Sequence, residues 1–171
     1  LAATSLAKAA GASKIIVFEL RKERCTLAKE VGADYVFNPV ELENNNIKPW
    51  EKILDVTGGY GADMLVEAAG APENTLPQME KGLAIGAKIV WIGRADKEAP
   101  IYLELFQTHA AQLYGAQGHS GYGTFSNVIR LMASGKIDMR KIVTGRYPLS
   151  NFNEAVKRLS KRIDAKILIK C

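Results

Sequence analysis

One acidic residue stands where a carboxylate could bind a sugar hydroxyl. Glu19 ends the run KIIVFE, residues Lys14–Glu19, and a helical stretch follows it. An apolar run of this kind is typical of a buried parallel strand. A carboxylate that closes the second strand of a dinucleotide-binding βαβ unit accepts hydrogen bonds from the adenosine ribose and repels a 2′-phosphate, which favours NAD over NADP. A surface glutamate at an ordinary strand end is the alternative interpretation.

Two glycine-rich stretches resemble phosphate-binding loops only superficially. The GxGxxG loop that completes a dinucleotide-binding unit is absent from the sequence. The stretch SGYG, Ser120–Gly123, follows the last predicted strand rather than the first, which favours a flexible turn. The stretch TGGYG, Thr57–Gly61, lacks the Lys-Ser/Thr pair of a P-loop and predicts the end of a helix.

The side chains that could perform catalysis or bind a metal are scattered along the sequence. No Ser/His/Asp arrangement, HExxH motif or CxxC spacing is present. The candidates stand alone: Cys25, Cys171, His109, His119, Glu67 and Glu104. We therefore predict neither catalytic residues nor a metal site within this chain.

Short β-rich runs alternate with helical stretches through the first 121 residues. The predicted strands are Lys14–Glu19, Tyr35–Phe37, Met64–Ala68, Ala87–Ile92 and Gln112–Gln117. The predicted helices are Leu1–Ala10, Lys22–Val31, Trp50–Val56 and Pro72–Leu83. This alternation predicts an α/β fold, a doubly wound parallel sheet that is covered on both faces.

The alternation changes after residue 121. A helix over Phe125–Ser134, an extended run over Ile142–Tyr147, a helix that ends near Lys161 and a half-exposed strand over Ala165–Lys170 are predicted. Asn151 and Glu154 have the spacing of a capping pair for the second helix. Because this tail lacks the strand–helix–strand pattern, it is expected to form another layer or another domain. The predicted division is residues 1–121 and 122–171.

Composition places the chain among globular proteins of the cytoplasm. The hydrophobic fraction of 47% and the charged fraction of 24% are ordinary, and no apolar run is long enough to span a membrane. The net charge of +5 is confined to the tail, because residues 1–128 hold 12 Lys and Arg against 15 Asp and Glu while residues 129–171 hold 11 against 3. These basic residues are not interleaved with aromatics, which argues against nucleic-acid binding. Leu1–Ala10 lacks the basic flank and the cleavage site of a signal peptide.

Four stretches of the sequence resemble a known family. They are Leu6–Pro39, the TGGYGADMLVEAAGAPE block at Thr57–Glu73, GAKIVWIG at Gly86–Gly93, and Met132–Leu159. Together they resemble the nucleotide-binding domain of zinc-containing medium-chain dehydrogenases, in the branch of sorbitol and threonine dehydrogenases. The match is collinear and covers nearly the whole chain. The resemblance implies a Rossmann-like fold whose C-terminal stretch returns to the catalytic domain.

The resemblance also implies a set of cofactor-binding positions. Glu19 matches the acid that binds the adenosine ribose, and Arg24 matches the basic residue beside it. Ala69 and Gly70 match cofactor-lining positions, Ile92 and Gly93 match positions beside the nicotinamide, and Ala116 and Gly118 match backbone partners of its carboxamide or ring. A basic residue of the tail, Arg158 or Lys161, is expected to reach the pyrophosphate. Pro100–Leu105 and Leu113–Gln117 resemble edge segments through which two copies pair into one homo-oligomer.

The resemblance places several family features N-terminal to Leu1. These are the first strand, the glycine loop, the catalytic zinc ligands and the structural-zinc cysteines. The family activity is zinc-assisted hydride transfer between a polyol or secondary alcohol and NAD, with the zinc needed only in the longer parent enzyme. The chain alone is expected to be inactive, and the loss of the central strand is expected to strip hydrogen bonds from its two neighbours. A non-catalytic nucleotide-binding or dimerisation module and a Rossmann-like methyltransferase are the alternatives.

Overall fold

The computed structural model describes residues 1–118, 121 and 123–171. His119 lies outside the described residues, and so do Ser120 and Tyr122 of the predicted glycine turn. The chain forms two compact units, Leu1–Glu41 with Gly123–Cys171, and Leu42–Tyr122. We call them unit 1 and unit 2. The predicted domain division at residue 121 stays a prediction.

Strands and helices alternate along the described chain as the sequence predicts. The helices are α1 (Ala2–Ala9), α2 (Lys22–Glu30), α3 (Pro39–Asn44), α4 (Pro49–Thr57), α5 (Pro72–Lys81), α6 (Leu103–Thr108), α7 (Thr124–Ala133) and α8 (Phe152–Leu159). The strands are β1 (Ile16–Phe18), β2 (Tyr35–Phe37), β3 (Ala62–Glu67), β4 (Leu83–Trp91), β5 (Gln112–Gly115), β6 (Val143–Pro148) and β7 (Lys166–Lys170). The helices α3 and α6 were not predicted. Every strand pairing is parallel, which confirms the α/β class.

A βαβ unit follows α1 in unit 1. β1 and β2 pair in parallel with Val17 opposite Val36, and α2 connects them. The buried residues Ala28 and Val31 lie in and directly after α2. The Asp34 carboxylate accepts a hydrogen bond of 2.8 Å from the Ile15 amide, which holds the two strand entrances together. That bond, with the nearby Lys8 ammonium, lowers the pKa of Asp34.

The tail also contains a parallel pair, so the prediction that it lacks the strand–helix–strand pattern was wrong. β6 and β7 pair in parallel with Tyr147 opposite Ile169, and α8 connects them. The extended run predicted over Ile142–Tyr147 corresponds to β6, but its parallel pairing with β7 is a long-range contact that the local pattern does not reveal. Asn151 is the N-cap residue of α8, as predicted, but it makes no side-chain bond to the helix backbone, and its amide instead donates to the Glu154 carboxylate at 3.1 Å.

Unit 2 contains a parallel sheet of order β3-β4-β5. Leu65, Ala87 and Ile89 are buried on one face of it, and α4 and α5 pack against the sheet. Met64 is 61% exposed and Val66 is 39% exposed, so the prediction of a sheet covered on both faces is met on one face of this unit.

The glycine stretch after α4 ends that helix, as predicted. α4 stops at Thr57, and Gly58 adopts the left-handed conformation with a φ of 65°. This conformation suits glycine because it has no Cβ. The Thr57 hydroxyl accepts a hydrogen bond of 2.9 Å from the Gly61 amide and fixes the turn that leads into β3.

No helix within residues 1–118 and 123–171 combines the length and the apolar character that a membrane crossing requires.

Candidate functional site

Glu19 lies directly after β1, at the carboxyl end of the β1–β2 pair. Its own amide donates to the Phe37 carbonyl at 3.0 Å and so extends the ladder by one bond. Its Oε1 accepts hydrogen bonds from the amides of Leu20 at 2.9 Å and Arg21 at 3.1 Å. Two successive amides aimed at one oxygen hold the carboxylate at the strand end, where an open α/β sheet binds its ligands.

Arg24 holds the second oxygen of the same carboxylate. Its Nε donates to Glu19 Oε2 at 2.8 Å, and its Nη1 donates to the Asp164 carbonyl at 3.1 Å. The Glu19 side chain is 20% exposed and that of Arg24 is 30% exposed. A carboxylate offers about four acceptor positions, so Oε2 can still accept a hydrogen bond from another donor. Glu19 and Arg24, the two residues predicted to lie at the adenosine ribose, thus form an ion pair at the end of β1.

An ion pair between the exposed Arg158 and the buried Asp164 supports Arg24 from the C-terminal segment. The Arg158 guanidinium binds the Asp164 carboxylate with two bonds, Nε to Oδ2 at 2.8 Å and Nη2 to Oδ1 at 3.1 Å. Asp164 is 4% exposed, and the Arg158 bonds hold the pKa of its carboxyl below the ordinary value. The same pair raises the pKa of Arg158. Arg158 is therefore engaged with Asp164, while Lys161 is exposed, and the choice between them for a pyrophosphate stays a prediction.

In unit 2 the predicted backbone positions follow the carboxyl ends of neighbouring strands. The register sets Glu67 opposite Trp91 and Trp91 opposite Gly115. The next amides continue the ladders, since Ile92 donates to the Glu67 carbonyl at 2.8 Å and Ala116 donates to the Trp91 carbonyl at 2.8 Å. The structure brings five predicted positions together along this edge: Ala69, Gly70, Ile92, Gly93 and Ala116.

Two glycines at this edge touch. A Cβ built on Gly93 would lie 2.4 Å from the Gly70 nitrogen and 2.2 Å from Glu67 Oε2. A Cβ on Gly70, whose φ is 71°, would lie 2.3 Å from the Arg94 carbonyl oxygen. Both positions therefore require glycine, and the two loops after β3 and β4 approach each other through their backbones. Gly118 differs, because its Cβ would meet nothing within 4 Å.

Glu67 is a residue of this edge that the sequence did not identify. It is 2% exposed, and its Oε1 accepts hydrogen bonds from the amides of Ala69 at 3.0 Å and Gly70 at 2.9 Å. The sequence shows it only as an isolated acid without a catalytic partner. The signal that could have revealed it is an acid inside an apolar strand, directly followed by the small residues AAG.

The remaining candidate side chains are separate from these arrangements. Burial and the charge of Glu19 raise the pKa of the Cys25 thiol, and Cys25 and Cys171 form no disulfide. Glu104 lies in α6, where its carboxylate accepts from the Tyr102 hydroxyl and raises the pKa of that phenol. Among residues 1–118, 121 and 123–171, no group of three or more His, Cys, Asp and Glu could hold a metal ion. The donors present do not fit the family's zinc, and we assign no zinc-dependent step to this chain.

Comparisons with known proteins agree with the fold and with the order of the motifs. The sequence profile described as zinc-binding dehydrogenase matches residues 1–134. Scyllo-inosose 3-dehydrogenase of Thermotoga maritima is 44% identical over 163 residues, 93% of this chain and 40% of that enzyme. L-threonine 3-dehydrogenase of Thermococcus kodakarensis is 35% identical over 153 residues, 88% of this chain and 42% of that enzyme.

A solved structure extends the agreement to three dimensions. The structure of 2R,3R-butanediol dehydrogenase from Bacillus subtilis superposes with a TM-score of 0.86 at 28% identity, covering 98% of this chain and 46% of that one. The chain thus spans less than half the length of the relatives that it matches. The profile match covers most of the chain, and the resemblance inferred from the sequence is confirmed. The chain belongs to the family of zinc-type medium-chain dehydrogenases.

Proposed function

We propose that this chain is the NAD-binding part of a zinc-dependent oxidoreductase that transfers a hydride between a polyol or secondary alcohol and NAD. The proposal extends to a cytoplasmic location, which suits two unpaired cysteines, and to pairing of copies through the exposed edge strand β5. The relatives support the class of reaction, because they are named as dehydrogenases of scyllo-inosose, L-threonine and 2R,3R-butanediol.

The observation that carries the proposal is the anchored carboxylate of Glu19. Two backbone amides and an arginine hold it at the end of a parallel strand, and Oε2 can accept a further hydrogen bond. The ribose hydroxyls of an adenosine are donors of the required kind. The negative charge disfavours a 2′-phosphate, and Arg24 sets the orientation of the carboxylate while reducing that charge.

The strand ends of unit 2 would line the nicotinamide side. Ala69, Gly70, Ile92, Gly93, Ala116 and Gly118 are the positions proposed for this role. Ile92 is 50% exposed at the sheet edge and offers an apolar surface to a ring. Bound NAD supplies the hydride acceptor, while the residues of this chain bind and orient it.

Titration of the chain with NADH and NADPH, followed by nicotinamide fluorescence, tests the proposal. We expect NADH to bind more tightly than NADPH. Glu19→Gln should weaken the binding of NADH by about tenfold, because one charge-assisted hydrogen bond to the ribose is lost. Glu23→Gln is the matched control, since Glu23 is an exposed acid at the start of α2, and it should leave NADH binding unchanged.

Three other outcomes would contradict parts of the proposal. No binding of NADH by the wild-type chain would reject the nucleotide site. Tight binding of S-adenosylmethionine would favour a methyltransferase. Oxidation of a polyol by the chain alone would show that it contains a reaction centre. Binding of NADH without turnover is the expected result, and it also describes a non-catalytic module.

A further inference from the structure

Glu67 is the buried acid of unit 2 for which the proposed cofactor contacts provide no role. Its side chain is one of the largest among the fully buried side chains of the described residues. A buried carboxyl group is costly unless hydrogen bonds satisfy it. The hydrogen bonds to the Glu67 carboxyl group come mainly from the loop that follows β3 rather than from a basic side chain.

The bonds to Glu67 define the shape of that loop. Oε1 accepts from the amides of Ala69 and Gly70 at 3.0 Å and 2.9 Å, and Oε2 accepts from Gly70 at 3.2 Å. The Thr75 hydroxyl, in the first turns of α5, donates to Oε1 at 3.4 Å. One carboxyl group therefore ties the end of β3, the loop after it and the start of α5 together.

The same carboxyl group reaches the loop after β4. Oε2 lies 2.2 Å from the position of a Cβ on Gly93, so Gly93 packs against it with no room for a side chain. The Glu67 carbonyl accepts the amides of Ile92 at 2.8 Å and Gly93 at 3.0 Å. Both loops proposed to line the nicotinamide are thus held by a single residue.

We propose that Glu67 is a positioning residue, which fixes the Ala69–Gly70 loop and Gly93 in the arrangement that binds the nicotinamide half of the cofactor. This role rests on the proposed function. It predicts that Glu67 affects the nicotinamide half and leaves the adenosine half unchanged, because Glu19 and Arg24 belong to unit 1.

Two ligands separate the halves of the cofactor. NADH carries the nicotinamide, and ADP-ribose keeps the adenosine, its ribose and the pyrophosphate. We expect Glu67→Ala to raise the dissociation constant of NADH by about tenfold, which is the effect of losing one polar contact. The dissociation constant of ADP-ribose should stay unchanged. Glu67→Gln keeps one carbonyl oxygen for the two amides, and it should restore part of the affinity for NADH.

Glu80→Ala is the matched control. Glu80 is also a buried acid of unit 2, 5% exposed, and it accepts a backbone amide bond from Tyr102 at 2.9 Å. Tyr102 directly precedes α6, and no hydrogen bond described for Glu80 reaches Ala69, Gly70 or Gly93. We expect this variant to lower stability without changing the ratio of the two dissociation constants, which separates positioning from general destabilisation.

Amide hydrogen exchange without any ligand gives a second readout. The amides of Ala69 and Gly70 should exchange faster in Glu67→Ala than in Glu80→Ala, with Glu67→Gln between them. An unchanged NADH to ADP-ribose ratio in both Glu67 variants would overturn the proposed role, even if Glu67→Ala alone were poorly folded. If the wild-type chain bound neither ligand, the proposed function itself would be rejected, and the cofactor role of Glu67 with it.

Discussion

Glu19 and Glu67 are both glutamates at the carboxyl end of a parallel strand, yet their surroundings differ. The Glu19 side chain is 20% exposed and bonded to an arginine, while Glu67 is 2% exposed and bonded to backbone amides and a threonine. An accessible carboxylate with acceptor capacity left can bind a ligand. A carboxyl group enclosed by its own loop can only shape the site. Residue type and strand position are therefore insufficient to assign a role, and burial decides it.

The largest expected effect follows from replacing each acid with alanine. Glu67→Ala should lower the free energy of unfolding by about 3 kcal/mol, because it leaves buried amides without an acceptor and creates a cavity. Glu19→Ala should cost about 1 kcal/mol, since Leu20 and Arg21 are exposed and water can replace the lost bonds. Urea denaturation followed by circular dichroism measures both values. Equal losses would show that burial does not distinguish the two sites.

A smaller effect is expected from the pair that supports Arg24. Asp164→Asn should lower the free energy of unfolding at neutral pH by about 1–3 kcal/mol, because the bonds to Arg158 lose their charge. The folded pKa of Asp164 is lowered from its ordinary 3.8, so this stabilisation is present above that pH and is lost as the pH falls through the folded pKa. Denaturation midpoints between pH 7 and about 2 should converge for wild type and variant at the acidic end.

Asp138→Asn is the control for this experiment. Asp138 also binds an arginine, at 2.8 Å, but the Arg140 side chain is 84% exposed. The Arg140 bonds lower the pKa of Asp138 to about 2. Solvent screens an exposed pair, so this variant should lose less stability than Asp164→Asn. A larger loss in Asp138→Asn would argue against the Arg158–Asp164 pair as the support of Arg24.

The smallest effect concerns the charge of Glu19 itself. Burial first and the Glu19 carboxylate second raise the pKa of Cys25, whose Sγ lies 3.4 Å from the Glu19 carbonyl. Glu19→Gln, in a Cys171→Ser background, should lower this pKa and speed alkylation of Cys25 by iodoacetamide about twofold near pH 8. The pH midpoint of the alkylation rate is the measurement. Glu30→Gln, an exposed change in the same helix α2, should leave that midpoint in place, and an unmoved midpoint in Glu19→Gln would contradict the influence of Glu19 on the pKa of Cys25.

Local patterns predicted the bounds of several elements closely. The strand at Tyr35–Phe37 has the predicted bounds, and the helix at Pro72–Lys81 ends two residues before the predicted Leu83. β6 was predicted as extended, but its parallel partner was missed because pairing with β7 is a long-range contact. The exposure of Met64 and Val66 was missed for a related reason, since an apolar run does not reveal which of its residues are covered.

The sequence by itself determined the α/β class, the family, and the likeness of Glu19 and Arg24 to a ribose-binding pair, because these depend on the order and type of neighbouring residues. Only the tertiary structure decided that Arg24 is held by the Asp164 carbonyl, 140 residues away, and that Glu67 fixes two loops. The physical reason is that a carboxyl group acquires its role from the donors and the burial that folding provides. Most of the donors to Glu19 and Glu67 lie within five residues of the acid, but the packing that buries Glu67 includes Gly93, 26 residues away.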